Sequence, residues 1–70
     1  MNATAKKGIW QERHSDVTIN YDTTRFPQRI TIQKMGENPV HLEYADGIGE
    51  KEIKRARALA QESFKIAIDS

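Results

Sequence analysis

Residues 16–45 read DVTINYDTTRFPQRITIQKMGENPVHLEYA, and apolar and polar side chains alternate through three short runs of this stretch. The runs span residues 16–22, 29–35 and 40–45. A period of two places every second side chain on the same face of a β-strand. Because the links between the runs are short, the pattern predicts three antiparallel strands, each with one apolar face that needs a cover.

The hydrophobic period changes from two to 3.6 after the sequence DGIGE at 46–50. Gly47 and Gly49 interrupt the strand pattern, and about twenty positions from Gly49 onward follow the helical repeat. One apolar stripe of this helix contains Ile53, Ala56, Ala60, Phe64 and Ala67. The predicted fold is therefore an α+β domain of order β-β-β-α, in which a single C-terminal helix covers one face of a three-stranded meander. Residues 9–14 are a candidate fourth, N-terminal strand.

The pattern also predicts the domain limits and the core. Residues 1–8 carry no periodicity and are interpreted as a flexible tail, and residues 9–70 as one α+β domain. The predicted core consists of Val17, Ile19, Tyr21, Ile30, Ile32, Val40, Leu42, Tyr44, Ile53, Ala60 and Phe64. A 70-residue chain buries only about 60% of the surface that its unfolded form exposes. Such a thin core favours association with a partner or a second copy.

The composition of the chain limits the cellular compartments in which we expect the protein. The chain has no cysteine, 37% apolar residues and a formal net charge of +1. Without cysteine there is no disulfide and no thiolate metal site, which favours a reducing compartment. No apolar run reaches the roughly 18–20 residues of a membrane span, and the N-terminal residues do not resemble a secretory signal. We therefore expect a soluble cytoplasmic protein that has no membrane partner.

The sequence offers no convincing catalytic, cofactor or metal site. His14 and Asp16, like His41 and Glu43, are two residues apart, but the second predicted strand separates the two pairs. The Gly-x-Gly of residues 47–49 lacks the third glycine of a dinucleotide fingerprint. We therefore expect no enzyme, no cofactor, no metal and no small-molecule substrate.

The preferred hypothesis is a small non-catalytic binding or regulatory protein of bacterial or phage type, an inhibitor or accessory factor. It would dock on another protein, and a homodimer is an open alternative. Trp10 is a candidate anchor because it is the largest apolar side chain. Leu59, Ile66 and Ile68 are further candidates because they make the apolar sector of the helix wider than one sheet face requires.

The alternative hypothesis is nucleic-acid binding. The order of elements in residues 16–68 resembles the arm-binding domains of tyrosine recombinases and the AP2-type domain. That resemblance implies that the exposed face of the sheet reads DNA. The predicted outward face, however, carries Arg29 against Asp16, Asp22 and Glu43, a net charge of −2. The candidate phosphate contacts are Lys6, Lys7, Arg25, Arg29, Lys51, Lys54 and Lys65.

Overall fold

The computed structural model describes residues 7–68, which form one antiparallel sheet followed by one helix. The strands follow one another in space in chain order, β1-β2-β3-β4. The elements are β1 Ile9–His14, β2 Val17–Asp22, β3 Gln28–Lys34, β4 Val40–Tyr44 and α1 Glu50–Phe64. The predicted α+β fold is confirmed, and residues 9–14 form the fourth strand.

The strand register separates apolar from polar side chains. Trp10, Tyr21, Ile30 and Leu42 are direct neighbours across the four strands. The next row on the same face runs from Glu12 through Ile19 and Ile32 to Val40. Because successive residues of a strand point to opposite faces, these rows belong to the side of the sheet on which α1 packs.

The observed core lies under α1 and differs from the predicted one at its edges. Its buried members are Val17, Ile19, Tyr21, Ile30, Ile32, Ile48, Ile53, Ala56 and Ala60. Leu42, Tyr44 and Phe64 are only half-buried against this cluster. Val40 is 40% exposed, so its assignment to the core was wrong. Ile48, in the link between β4 and α1, was not predicted in the core, but it is buried in this cluster, and its N–H donates to the Gln28 side chain at 2.8 Å.

The helix is shorter than the sequence predicted. It begins at Glu50, where the Glu52 carboxylate accepts a hydrogen bond of 2.7 Å from the Gly49 N–H. It has 15 residues and ends at Phe64, because Lys65 adopts a left-handed conformation with φ 56°. The prediction of about twenty helical positions was therefore wrong. Ile68, beyond the helix, donates its N–H to the Gln61 side chain at 3.1 Å.

One helix does not cover the full width of this sheet. Strands about 4.8 Å apart place β1 and β4 about 14 Å from each other, whereas a helix with its side chains is about 10–12 Å across. Accordingly, α1 packs on the two central strands, β2 and β3. The helix-facing sides of β1 and β4 therefore extend beyond the helix. We call them the two margins of the sheet, and other side chains have to cover them.

Gly8 attaches the start of β1 to the link between β2 and β3. Its N–H donates to the Thr23 hydroxyl at 2.7 Å, and its carbonyl accepts the Thr23 N–H at 3.0 Å. The predicted tail of residues 1–8 thus includes one anchored residue, and its residues 1–6 lie outside the described part of the chain.

Two isoleucines provide a matched test of this packing. Ile30 is fully buried and Ile9 is 71% exposed, although both lie in strands of the same sheet. We expect Ile30→Ala to lower the free energy of unfolding by about 2–5 kcal/mol, because it removes a buried side chain and leaves a cavity. Ile9→Ala should change it by less than about 1 kcal/mol. Urea unfolding followed by circular dichroism measures both, and equal losses would contradict the assigned faces of β1 and β3.

Candidate functional site

The face of the sheet opposite α1 is a broad polar surface, which we call the open face. Within residues 7–68 the one helix packs on the other face of the sheet. Strand alternation and register assign to it Ile9, Gln11, Arg13, Thr18, Asn20, Asp22, Arg29, Thr31, Gln33, His41 and Glu43. Antiparallel sheets commonly leave one face in water, and the polar residues here fit that arrangement.

A row of neutral hydrogen-bonding side chains crosses the middle of the open face. It runs from Gln11 through Asn20 and Thr31 to His41, each directly opposite the next. Thr31 Oγ1 and His41 Nδ1 are 3.0 Å apart, so the two strands β3 and β4 are also joined by their side chains. Amide, hydroxyl and imidazole groups both donate and accept, and this row therefore suits a polar partner surface.

An arginine-rich corner borders this row on β3 and β4. Arg29 donates to Glu43 Oε2 from Nε at 3.1 Å and from Nη2 at 2.6 Å, and Arg25 Nη2 lies 3.9 Å from the same oxygen. The hydrogen bond from Arg29 holds the pKa of Glu43 below its ordinary value. Two guanidinium groups thus contact one carboxylate, and the Asp22 carboxylate, directly opposite Arg29, brings the net charge of the corner to zero.

The charge of the open face differs from the predicted −2. Asp16 lies in the turn between β1 and β2, not on the face. The strand β1 adds Arg13, so that Arg13 and Arg29 balance Asp22 and Glu43. The face is therefore neutral, and Arg25 makes its rim slightly basic.

The most exposed large apolar side chain in the described residues is Phe26. It is 80% exposed and follows Arg25 in the link between β2 and β3. Ile9, at the same end of the sheet, is 71% exposed, whereas Met35 at the other end is 73% exposed. The sequence pattern did not identify Phe26 as a candidate site residue. Its isolation from the strand pattern was the signal that could have identified it.

A second polar cluster lies on the helix side of β1, around Glu12. Arg57 of α1 donates from Nε to Glu12 Oε1 at 3.0 Å and from Nη2 to Oε2. The Tyr21 hydroxyl donates to Glu12 Oε1 at 3.1 Å, and His14 Nε2 lies 3.1 Å from the same oxygen. This cluster joins the edge strand β1 to the helix across 45 residues of sequence.

The charges of this cluster are set by mutual contact. Burial alone would raise the pKa of Glu12, but the hydrogen bonds from Arg57 and His14 outweigh it and lower that pKa. The hydrogen bond to Glu12 raises the pKa of Arg57. Burial and the neighbouring Glu12 charge raise the pKa of Tyr21. At neutral pH the carboxylate and guanidinium are both charged and the phenol is neutral, which is the composition of a structural ion pair.

The predicted partner-binding residues all contact the core. Trp10 stacks on Tyr21, with ring centroids 4.7 Å apart and planes at 13°. Leu59, Ile66 and Ile68 are half-buried against the same cluster. Much of the extra apolar sector therefore covers the core, and Ile66 and Ile68 do so from beyond the helix end.

The predicted nucleic-acid contacts are divided between two sides of the molecule. Arg25 and Arg29 lie at the corner of the open face. Lys51, Lys54 and Lys65 are exposed on the helix layer. Lys7 is exposed just before β1, and Lys6 lies outside the described residues. The structure therefore does not bring these cations together on one surface.

The two histidine pairs noted in the sequence also lie apart. His14 is on the helix side of the sheet and His41 on the open face. Within residues 7–68 no three histidine, aspartate or glutamate side chains are grouped as metal ligands would be. In the same part of the chain, no helix has the length and apolar character required to cross a membrane.

A surface depression lies where the β4–α1 link meets the start of the helix. Gly8, Thr23, Gln28, Gly47 and Glu52 contribute to its walls. Gln28 accepts the Ile48 N–H at 2.8 Å, and Glu52 accepts the N–H of the residue that caps the helix. These polar groups fix the chain locally, so the depression is explained by the turn that it surrounds.

The chain matches no protein-family model, no curated protein and no solved structure. Its function is therefore inferred from its own surfaces.

The Glu12–Arg57 pair predicts a specific dependence of stability on pH. Their side chains are 19% and 18% exposed, so losing one partner leaves the other poorly hydrated. We expect Glu12→Gln to lower the free energy of unfolding by about 1–3 kcal/mol at pH 7. Because the folded pKa of Glu12 lies below its ordinary value of 4.5, its contribution is present above that value and is lost as the pH falls through the folded pKa.

The variant should therefore lose less stability than the wild type between about pH 5 and pH 3. Glu37→Gln is the control, since Glu37 pairs with Lys34 at 3.8 Å on an exposed turn. Urea titrations across this pH range make the comparison. If Glu37→Gln flattened the pH profile as much as Glu12→Gln, the assigned role of the pair would be wrong.

Proposed function

We propose that this protein is a small non-catalytic binding protein that docks on another protein through the open face of its sheet. The observation that carries the proposal is Phe26, which is 80% exposed and follows Arg25 in the link at one end of this neutral hydrogen-bonding face. Aromatic side chains, phenylalanine among them, and arginine are both enriched at protein interfaces. A regulator, inhibitor or accessory factor would use such a surface.

The chemistry of the open face defines the complementary partner. An apolar recess would receive Phe26, and hydrogen-bonding groups would face the row from Gln11 to His41. A hydrogen-bond acceptor would suit the guanidinium groups of Arg25 and Arg29 at the corner. Since the face has no net charge of its own, the affinity would come from packing and hydrogen bonds and only weakly from long-range attraction.

The ion pairs of two carboxylates with arginine support a non-catalytic role. The carboxylates of Glu12 and Glu43 are both engaged by arginines. Acid–base catalysis requires a titratable group whose proton exchanges near the working pH. Arginine partners hold both carboxylates in their charged form, which suits a structural function.

Nucleic-acid binding is the second candidate, and the arginines favour it. Arg13, Arg25 and Arg29 lie on the open face or its rim, and Gln11, Asn20 and Thr31 lie between them. Arginine contacts phosphates and guanine, and glutamine or asparagine contacts adenine. This arrangement would place a nucleic acid on the open face, as the resemblance to sheet-type DNA-binding domains implies.

The two candidates can be separated by capture from a lysate of the source cells. A tagged chain is compared with Phe26→Ser and with Met35→Ser, a control of similar exposure at the opposite end of the sheet. We expect a protein partner to remain bound after nuclease treatment and in high salt. Phe26→Ser should weaken its binding by about tenfold or more, and Met35→Ser should leave it unchanged.

Two outcomes would overturn docking through the open face. One is a partner whose binding is insensitive to Phe26→Ser. The other is binding that disappears with nuclease and weakens steeply as salt rises, which would favour the nucleic-acid candidate. In that case Arg13→Gln and Arg29→Gln should each reduce the salt slope by about one, if each arginine contacts one phosphate.

A further inference from the structure

The two edge strands of the sheet differ in their resistance to pairing. On its helix side β1 presents Trp10, the charged Glu12 and the polar His14, and an inward-pointing charged residue discourages a further strand from adding to an edge. On the same side β4 presents Val40, Leu42 and Tyr44, all apolar and none fully buried. Within residues 7–68 the β4 edge therefore combines free backbone groups with incompletely covered apolar side chains.

The sequence of β4, VHLEY, is self-complementary about its centre. Val40 and Tyr44, which are equidistant from Leu42, are both apolar. His41 and Glu43, on the open face, are a base and an acid. In an antiparallel pair, residues directly opposite one another point to the same face. A second copy of β4 would therefore oppose apolar to apolar on one face and imidazole to carboxylate on the other.

We propose that the protein forms a homodimer in which β4 pairs antiparallel with β4 of a second copy, about a two-fold axis at Leu42. The two sheets then form one continuous sheet of eight strands. Leu42 of each copy faces its equivalent, His41 of one copy faces Glu43 of the other, and Val40 faces Tyr44.

Other registers of this pairing are disfavoured. A shift of one residue would place apolar side chains of one copy on the open face of the other. A two-residue shift in one direction puts Glu43 opposite Glu43, a repulsive pair of like charges. The opposite shift puts His41 against His41 and leaves both Glu43 side chains without a cross-strand imidazole. The register centred on Leu42 also pairs all five residues of the strand.

The groove on the helix side of β4 is also compatible with this two-fold axis. A groove between β4 and α1 is lined by Leu42, Tyr44, Arg55, Leu59 and Glu62, among others. The two-fold axis makes the helices of the dimer antiparallel, so the Arg55 end of one groove adjoins the Glu62 end of the other. Apolar residues of both grooves meet over the paired strands, and the opposite charges at their ends favour this orientation.

This interface lies at the β4 edge and shares only His41 and Glu43 with the open face, and it does not rest on the proposed function. The dimer would leave both open faces accessible, side by side on one surface. Self-association is measured on the purified chain, and partner capture is measured with the Phe26 variant. Failure of either proposal is therefore visible without reference to the other.

Cysteine cross-linking tests the interface and its register together. The chain has no cysteine, so each introduced thiol is unique. Directly opposite residues have Cβ atoms about 4.5–5.5 Å apart, close to disulfide range, whereas diagonal neighbours are about 7–8 Å apart. We expect mild oxidation of a mixture of His41→Cys and Glu43→Cys chains, tagged differently, to give mixed dimers. Each variant alone should cross-link roughly tenfold less.

Gln11→Cys is the control, because Gln11 lies at the centre of the other edge strand, on the open face and exposed. It should remain uncross-linked under the same conditions. All three positions are at the polar surface, so the core and the fold are preserved, and circular dichroism verifies this. Preferential cross-linking through Gln11→Cys, or equal cross-linking by all pairs, would overturn the proposal.

The mass in solution provides an independent test. Light scattering on the wild type should show a mass that rises toward that of two chains as the concentration increases. His41→Glu places a carboxylate opposite Glu43 at two sites of the dimer and should weaken dimerisation by about tenfold or more. Gln11→Glu introduces the same charge on β1 and should leave it unchanged.

Mixing His41→Glu with Glu43→Lys should restore dimerisation, because the new carboxylate then faces the new ammonium group. A wild type with the mass of one chain at every concentration would overturn the proposal, as would a mixture that associates no better than His41→Glu alone.

Discussion

A single helix about 10–12 Å across covers a sheet whose outer strands lie about 14 Å apart, and this difference in width governs the rest of the structure. The helix packs on the two central strands, where Ile19, Tyr21, Ile30 and Ile32 are buried. Everything outside this strip depends on other contacts. The two margins of the sheet therefore need cover beyond the packing of the helix on the central strands.

The two margins of the sheet are covered in different ways. On the β1 side Trp10 stacks on Tyr21, and Glu12 is fixed by Arg57, so that large aromatic and charged groups extend the cover to the edge. On the β4 side Leu59 and Tyr44 are only half-buried, and Val40 is 40% exposed. One edge is thus closed by contacts within the chain, and the other retains apolar surface that a second molecule can cover.

Much of the fold followed from the sequence because side-chain period depends on local geometry. Alternation in VTINYD and RITIQK identified the strands and their inward faces. Contacts between distant residues could not be predicted from such a pattern. The Glu12–Arg57 pair joins positions 45 apart, and the sequence around neither residue indicates it. The helix end was also missed, because Lys65 takes a left-handed conformation that glycine usually signals, while the apolar pattern continues through Ile66 and Ile68.

The polar character of the open face was predicted correctly, but its net charge was not. Alternation placed Arg29 and Glu43 outward, but it could not show that β1 adds Arg13 or that Asp16 turns away. The alternation also could not predict that Phe26 is exposed, because a residue outside the strand pattern is assigned to no face of the sheet. If β4 pairs with a second copy, this neutral face doubles in width and carries Phe26 twice, related by the two-fold axis. A partner with two equivalent sites would then gain from both anchors at once, because the second contact forms at high effective concentration.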